Sequence, residues 1–394
     1  MGKGSYASLR SVRTELLGYR ARSVSRLTGI RLERLREIEE QGASPTVFEL
    51  EAMAKLYGLD ADLLADEPIV LRPGDAVEAL TYSEEFVELA DTVRARIVAA
   101  ATAARDLRRL QELDGYEADE PAFLLDQGAF DPHEPPYRQG AILAERTREK
   151  LGLGSEPISS MRDVVRQGFP WITQLYAKLT GDGPAGLTFA DELRGPTIVL
   201  NLDGKNRNPA VRRFSLAHEL LHLLADWSRS EPLAILSGYF TESALAREQR
   251  ANAFAIRFLC PEKVLRSLRP SEQVEAAKTL IEGYGLHYSA VRLYLQNEAG
   301  MKLPPVPPPA LQSLGTETTL EKAEAPEGVE NFPIADAPPE RRTAVAVAAA
   351  RCYSAGKLSR DAFADALGVT PAHELEEVLD FFALPYPDDD EPSA

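Results

Sequence analysis

Cysteine is almost absent: Cys260 and Cys352 are the only two in 394 residues. A disulfide framework is excluded and a reducing compartment is expected. Long apolar runs are missing too. The longest uncharged one, Thr343 to Ala350, is far too short to span a bilayer. No apolar stretch near the N-terminus reads as a signal peptide. A cytoplasmic protein with no membrane contact is therefore expected. Positive charge is in deficit, with 44 Lys and Arg against 61 Asp and Glu and a net charge of −17. That balance argues against nucleic-acid binding by the protein as a whole. No internal repeat, phosphate-binding loop or dinucleotide fingerprint occurs. The remaining composition is that of an ordinary globular protein, long enough for two or three domains.

Histidine is scarce as well, with five in the chain. Two of them stand four apart in the stretch Phe214-Ser215-Leu216-Ala217-His218-Glu219-Leu220-Leu221-His222-Leu223-Leu224. Such an H-E-x-x-H pattern is expected by chance on the order of once in two hundred chains of this composition. On a helix, positions four apart share a face, so His218 and His222 can aim at one metal ion. Glu219 lies about 100° further round the axis, within reach of a water on that ion, where it would act as a general base. The surrounding leucines supply the apolar surface of a buried helix. The pattern is that of a zinc metalloprotease.

Catalytic zinc usually takes three protein ligands. A third histidine downstream on an extended motif is excluded, because Ala225 and Ser228 occupy the positions that would need Gly and His. The remaining option is a carboxylate from a second helix. The segment Glu242 to Leu259 has a strong helical pattern, and Glu248, Asn252 and Ala255 share one face of it. Glu248 can ligate, and the Asn252 amide one turn on can hydrogen-bond to a ligand from behind. Ala251 and Ala255 allow close approach to the histidine helix.

The run R-F-S-L-A-H-E-L-L-H followed by E-x-x-x-A-N-x-F-A-x-x-F-L-C-P resembles the ImmA/IrrE family of metallopeptidases. Two strands before it, around Ala185 to Phe189 and Thr197 to Asn201, fit the same likeness, which covers roughly residues 137 to 300. Cys260-Pro261 departs from the family's usual Met-Pro. The resemblance implies an α+β, zincin-like zinc peptidase with one Zn2+ per chain, bound by His218, His222 and Glu248, and with Glu219 as base. It also implies a helix-turn-helix repressor as substrate, whose cleavage regulates stress, phage or mobile-element genes. In this fold an edge strand can hold substrate by β-addition.

The flanking regions complete a mainly α architecture with a small sheet. Residues 1–68 read as short helices and resemble an XRE-type helix-turn-helix domain, with Ile30 to Gly42 as recognition helix and turn. From Met1 to Arg36, nine basic residues face two acidic ones, a local charge of +7. Such a patch suits phosphate contact, and Arg31, Arg34 and Arg36 are the candidates to reach DNA. Glu37, Glu39 and Glu40 make that helix end acidic, which suits docking of a protein instead.

Residues 69–114 read as a helical connector, in which Thr81 to Leu113 is one long helix whose Ala-rich seam could serve a homodimer. Residues 115–300 form the peptidase domain, opening on an irregular, Pro-rich and acidic lead-in to Pro136. Residues 301–340 are a Pro-rich linker. Residues 341–386 form a small helical unit, marginal by itself and expected to dock elsewhere, and 387–394 form an acidic tail. A different function stays open: a non-catalytic, DNA-binding transcriptional regulator whose peptidase-like domain senses a ligand, metal or partner.

Overall fold

The computed structural model describes residues 4–66, 68–71, 84–116, 131, 133–238, 245–269, 271–312, 314, 318–326 and 328–387. The acidic tail beyond 387, most of the lead-in before Pro136, and the starts of two expected helices (81–83 and 242–244) lie outside those residues. The chain is mainly helical with a four-stranded mixed sheet, an α+β architecture.

At the N-terminal end, strand β1 (Gly4–Tyr6) pairs antiparallel with β2 (Ile69–Leu71). Between them run the helices Leu9–Ser11, which widens into a π turn to Leu16, then Ala21–Thr28, Leu32–Gln41, Val47–Tyr57 and Ala61–Ala65. They enclose Val12, Leu16, Val24, Leu35, Met53 and Leu64. Thr46 and Glu49 form a reciprocal cap on the fourth helix. These helices fall where the apolar spacing places them.

The expected helix over Thr81 to Leu113 is broken. Its described part is a short helix, Glu84–Glu88, and a long one, Asp91–Asp114, with extended backbone at Ala90. The break serves tertiary contact. Asp91 accepts from the Arg20 amide at 3.4 Å and pairs with Arg94. Arg94 in turn donates to the Leu17 carbonyl at 2.7 Å. The long helix is thereby fastened to the N-terminal bundle. Its Ala-rich seam is filled from within the chain: Ala100, Ala101, Ala103 and Ala104 are buried in one core with Ala346, Ala349 and Ala350 of the helix Ala344–Ser354.

The main sheet consists of β3 (Thr173–Ala177), β4 (Gly186–Ala190), β5 (Thr197–Asn201) and β6 (Leu233–Ser237), in the order β3-β5-β4-β6. The β3–β5 pair is parallel and the others are antiparallel. Strand alternation divides its residues between two cores. Leu175, Leu187, Phe189, Val199 and Leu236 pack with the long helix and the C-terminal helices. Tyr176, Ala190, Ile198 and Leu200 pack with the helix that carries the two histidines. The sequence pattern predicts a strand over Trp171 to Leu175, and β3 forms there two residues further along, whereas β6 is a strand that the pattern does not reveal.

The C-terminal helices Ala344–Ser354, Arg360–Leu367 and Glu376–Phe381 dock on the long helix and the sheet. The stretch expected as a linker is packed. It buries Leu303, Leu311, Val329, Phe332 and Ile334 and holds a helix, Thr318–Glu324, against the back of the histidine helix. Arg212 donates to the Glu324 carbonyl at 2.8 Å. The Arg213 guanidinium lies 3.5 Å from the Glu324 carboxylate, with both side chains 2% exposed. The Glu324 carboxylate also accepts from the Met161 amide at 2.8 Å. Composition suggested solvation, but one buried acid opposite a buried arginine anchors the segment. Removing one partner of such a pair strands the other charge, so Glu324→Ala is expected to cost about 3–5 kcal/mol, read as a lowered midpoint in urea unfolding.

Candidate metal centre

The histidine helix spans Pro209–Leu221 and continues as a π turn over His222–Asp226. Its start is set locally: the Asn208 side chain accepts from the Ala210 and Val211 amides, and Pro209 occupies the first turn. The second helix, Leu245–Leu259, crosses it with Ala251 and Ala255 fully buried. A third helix, Pro136–Lys150, presses from the other side at Gly140. A Cβ there would stand 2.2 Å from the Arg250 carbonyl oxygen, so only glycine permits this approach.

The three helices bring His218, His222 and Glu248 together, with one ligand atom from each lying within 4.8 Å of the others. His218 Nε2 is 3.3 Å from Glu248 Oε2, and His222 Nε2 is 3.6 Å from Glu248 Oε1. All three residues and Glu219 are buried. Both Nε2 atoms, both Glu248 oxygens and Glu219 Oε1 are buried without a hydrogen-bond partner among the described residues. Unsatisfied buried polar atoms are costly, and those of His218, His222 and Glu248 lie close enough together to fit one shared cation.

The far sides of the rings are engaged. His218 Nδ1–H donates to Asn252 Oδ1 at 3.1 Å, where the sequence placed that amide. His222 Nδ1–H donates to Asp226 Oδ2 at 2.7 Å. These contacts set both tautomers so that the Nε2 lone pairs face the cluster.

Charge follows the same geometry. Burial pulls His218 down, but the carboxylates of Glu248 and Glu219 outweigh it and raise its pKa. Burial pushes the Glu248 carboxyl up, and His218 with His222 more than reverses this. Glu219 is raised because burial dominates over the histidines. One buried carboxylate beside two imidazoles makes a donor set suited to a divalent cation such as zinc.

Glu219 is held by the sheet. Strand alternation puts Gly186 and Thr188 of β4 on the face toward the helix. Thr188 Oγ1–H donates to Glu219 Oε2 at 2.7 Å. A Cβ on Gly186 would stand 2.4 Å from Glu219 Oε1. Neither residue was singled out from sequence, nor were Asp226 and Arg250, which form an ion pair beside the cluster. Asp226 offered one signal, standing four residues after a candidate ligand.

The proposed DNA-contacting residues diverge. Arg31 and Arg36 are exposed. Arg34 is turned to Glu49 at 2.9 Å and to the Ser44 carbonyl at 2.8 Å. Arg13, counted in the basic patch, is buried against Glu39 at 2.7 Å.

Residues 172–295 match the model of peptidase family M78, described as the IrrE N-terminal-like domain. The match takes in the sheet, the histidine helix and the Glu248 helix, and supports a peptidase-type hydrolase at the level of the family. The N-terminal bundle and the C-terminal helices lie outside it. Comparison with curated proteins returns no match. Elemental analysis should find stoichiometric zinc in the purified protein. Glu248→Ala should weaken zinc binding by more than about 100-fold, beyond the loss typical of outer-shell partners.

Proposed function

We propose that this chain is a zinc-dependent endopeptidase whose substrate is a helix-turn-helix repressor, cleaved to release stress, phage or mobile-element genes. The observation that carries it is the buried convergence of His218, His222 and Glu248 beside Glu219, within a region that matches a peptidase family. His218, His222 and Glu248 would hold the zinc, which would supply Lewis acidity toward the scissile carbonyl and the attacking water. Glu219 takes the proton of the attacking water and delivers it to the leaving amine. Its carboxyl is raised by burial, which brings it nearer the neutral range where one group serves as both base and acid. Thr188 fixes one of its oxygens, and the other, Oε1, has no hydrogen-bond partner among the described residues.

The surroundings suit a polypeptide. A groove of about 1060 Å³, lined by Val211, Phe214, Asn252, Ile256 and Leu293 among others, reaches the cluster only through Asn252; His218, His222, Glu248 and Glu219 do not line it. Strand β6 is at the sheet edge next to β4 and offers backbone for β-addition. The strand before the histidine helix, β5, is interior and cannot serve. A cytoplasmic location is supported by two buried, unpaired cysteines. Among the described residues no helix is long and apolar enough to cross a membrane.

A second reading is a DNA-binding regulator that cleaves nothing. Arg22, Arg26, Arg31 and Arg36, exposed on the N-terminal bundle, favour phosphate contact. One variant separates the two. Glu219→Gln should retain zinc and abolish cleavage of co-incubated helix-turn-helix proteins, followed by mass spectrometry. Cleavage that persists in the variant sinks the mechanism. A wild type that cuts nothing, while both proteins bind DNA in a salt-dependent way, favours the regulator. Gly186→Ala should keep its zinc and lose activity by roughly 100-fold, the scale of an ångström-sized displacement of a catalytic group.

A further inference from the structure

The two histidines are supported unequally. His218 leans on a neutral amide, Asn252, at 3.1 Å, whereas His222 leans on a carboxylate, Asp226, at 2.7 Å. Asp226 closes the π turn that His222 opens, and its side chain is 9% exposed. Its other oxygen pairs with Arg250, two residues beyond Glu248 on the second ligand helix. Arg250 also donates to Gln139 Oε1 at 3.1 Å, and Gln139 Nε2–H donates to the Glu134 carbonyl at 2.7 Å. A continuous polar brace thus runs from the start of the third helix, through the Glu248 helix, to the ring of His222.

We infer that Asp226 is a positioning residue for the metal, and that the Asp226–Arg250 pair locks the two ligand-bearing helices at the separation that metal binding requires. This rests on the zinc centre proposed above. A carboxylate behind an imidazole fixes the ring and strengthens nitrogen donation. A neutral amide does the first and little of the second, so His222 is the stronger of the two nitrogen anchors. Arg250 holds the carboxylate in line and offsets part of its buried charge. Because Arg250 and Glu248 share a helix, one ion pair orients His222 and keeps Glu248 in register with it.

The test uses full-length protein, with zinc affinity measured by competition with a chromophoric chelator and the visible spectrum recorded after cobalt(II) substitution. Asp226→Asn should bind zinc about 10- to 100-fold more weakly and show altered cobalt bands, with the urea midpoint of the metal-free protein as the control for folding. Arg250→Met, which leaves the carboxylate in place but untethered, should lose roughly 10-fold, and it carries the test alone if Asp226→Asn does not fold. If the wild type binds zinc and both variants match it within about a factor of two, with unchanged cobalt spectra, the inference is overturned and the zinc centre stands. A wild type that takes up neither metal overturns the zinc centre and the inference together.

Discussion

A carboxylate on one helix meets two imidazoles on another, all three buried and within reach of one another. The peptidase region is arranged around that approach. Ala251 and Ala255 thin the interface from one side, and Gly140 lets a third helix press backbone against backbone from the other. Such contacts are possible only where side chains are small, so the same residues that permit the approach also set its distance. The histidine helix is fixed lengthwise by its Asn208 cap and across its back by the Arg213–Glu324 pair. A shift along either direction would separate the three candidate ligands.

The sheet contributes chemistry as well as support. Because strand residues alternate faces, β4 gives Leu187 and Phe189 to one core and keeps Gly186 and Thr188 for Glu219. A carboxylate buried against a strand has few rotamers left, and a hydroxyl then selects which oxygen stays free. Losing rotamers costs entropy, and here the cost is met during folding, before any substrate binds.

The parts outside the family match are joined to this core. The long helix Asp91–Asp114 takes the N-terminal bundle through Arg94, and takes the C-terminal helices through its alanine seam. The segment after residue 300 returns to the back of the histidine helix. The site is therefore braced by residues more than 100 positions away from the motif.

The sequence by itself determined the features that depend on neighbours along the chain. Helical spacing placed His218, Glu219 and His222 on a buried helix, and the same periodicity placed Glu248 and Asn252 on one face of a second one. The short helices at both ends were legible for the same reason, since their periodicity and caps are local. Only the tertiary structure decided what meets across the chain. It alone could show that Thr188 and Gly186 hold Glu219, that Asp226 pairs with Arg250, and that Arg13 and Arg34 are tied to glutamates. It also broke the expected long helix at Ala90, because the contact of Asp91 with the N-terminal bundle outweighs local propensity. The Pro-rich segment reads as solvated because its polar majority hides a few anchors, and an anchor such as Glu324 becomes visible only when its partner Arg213 is beside it.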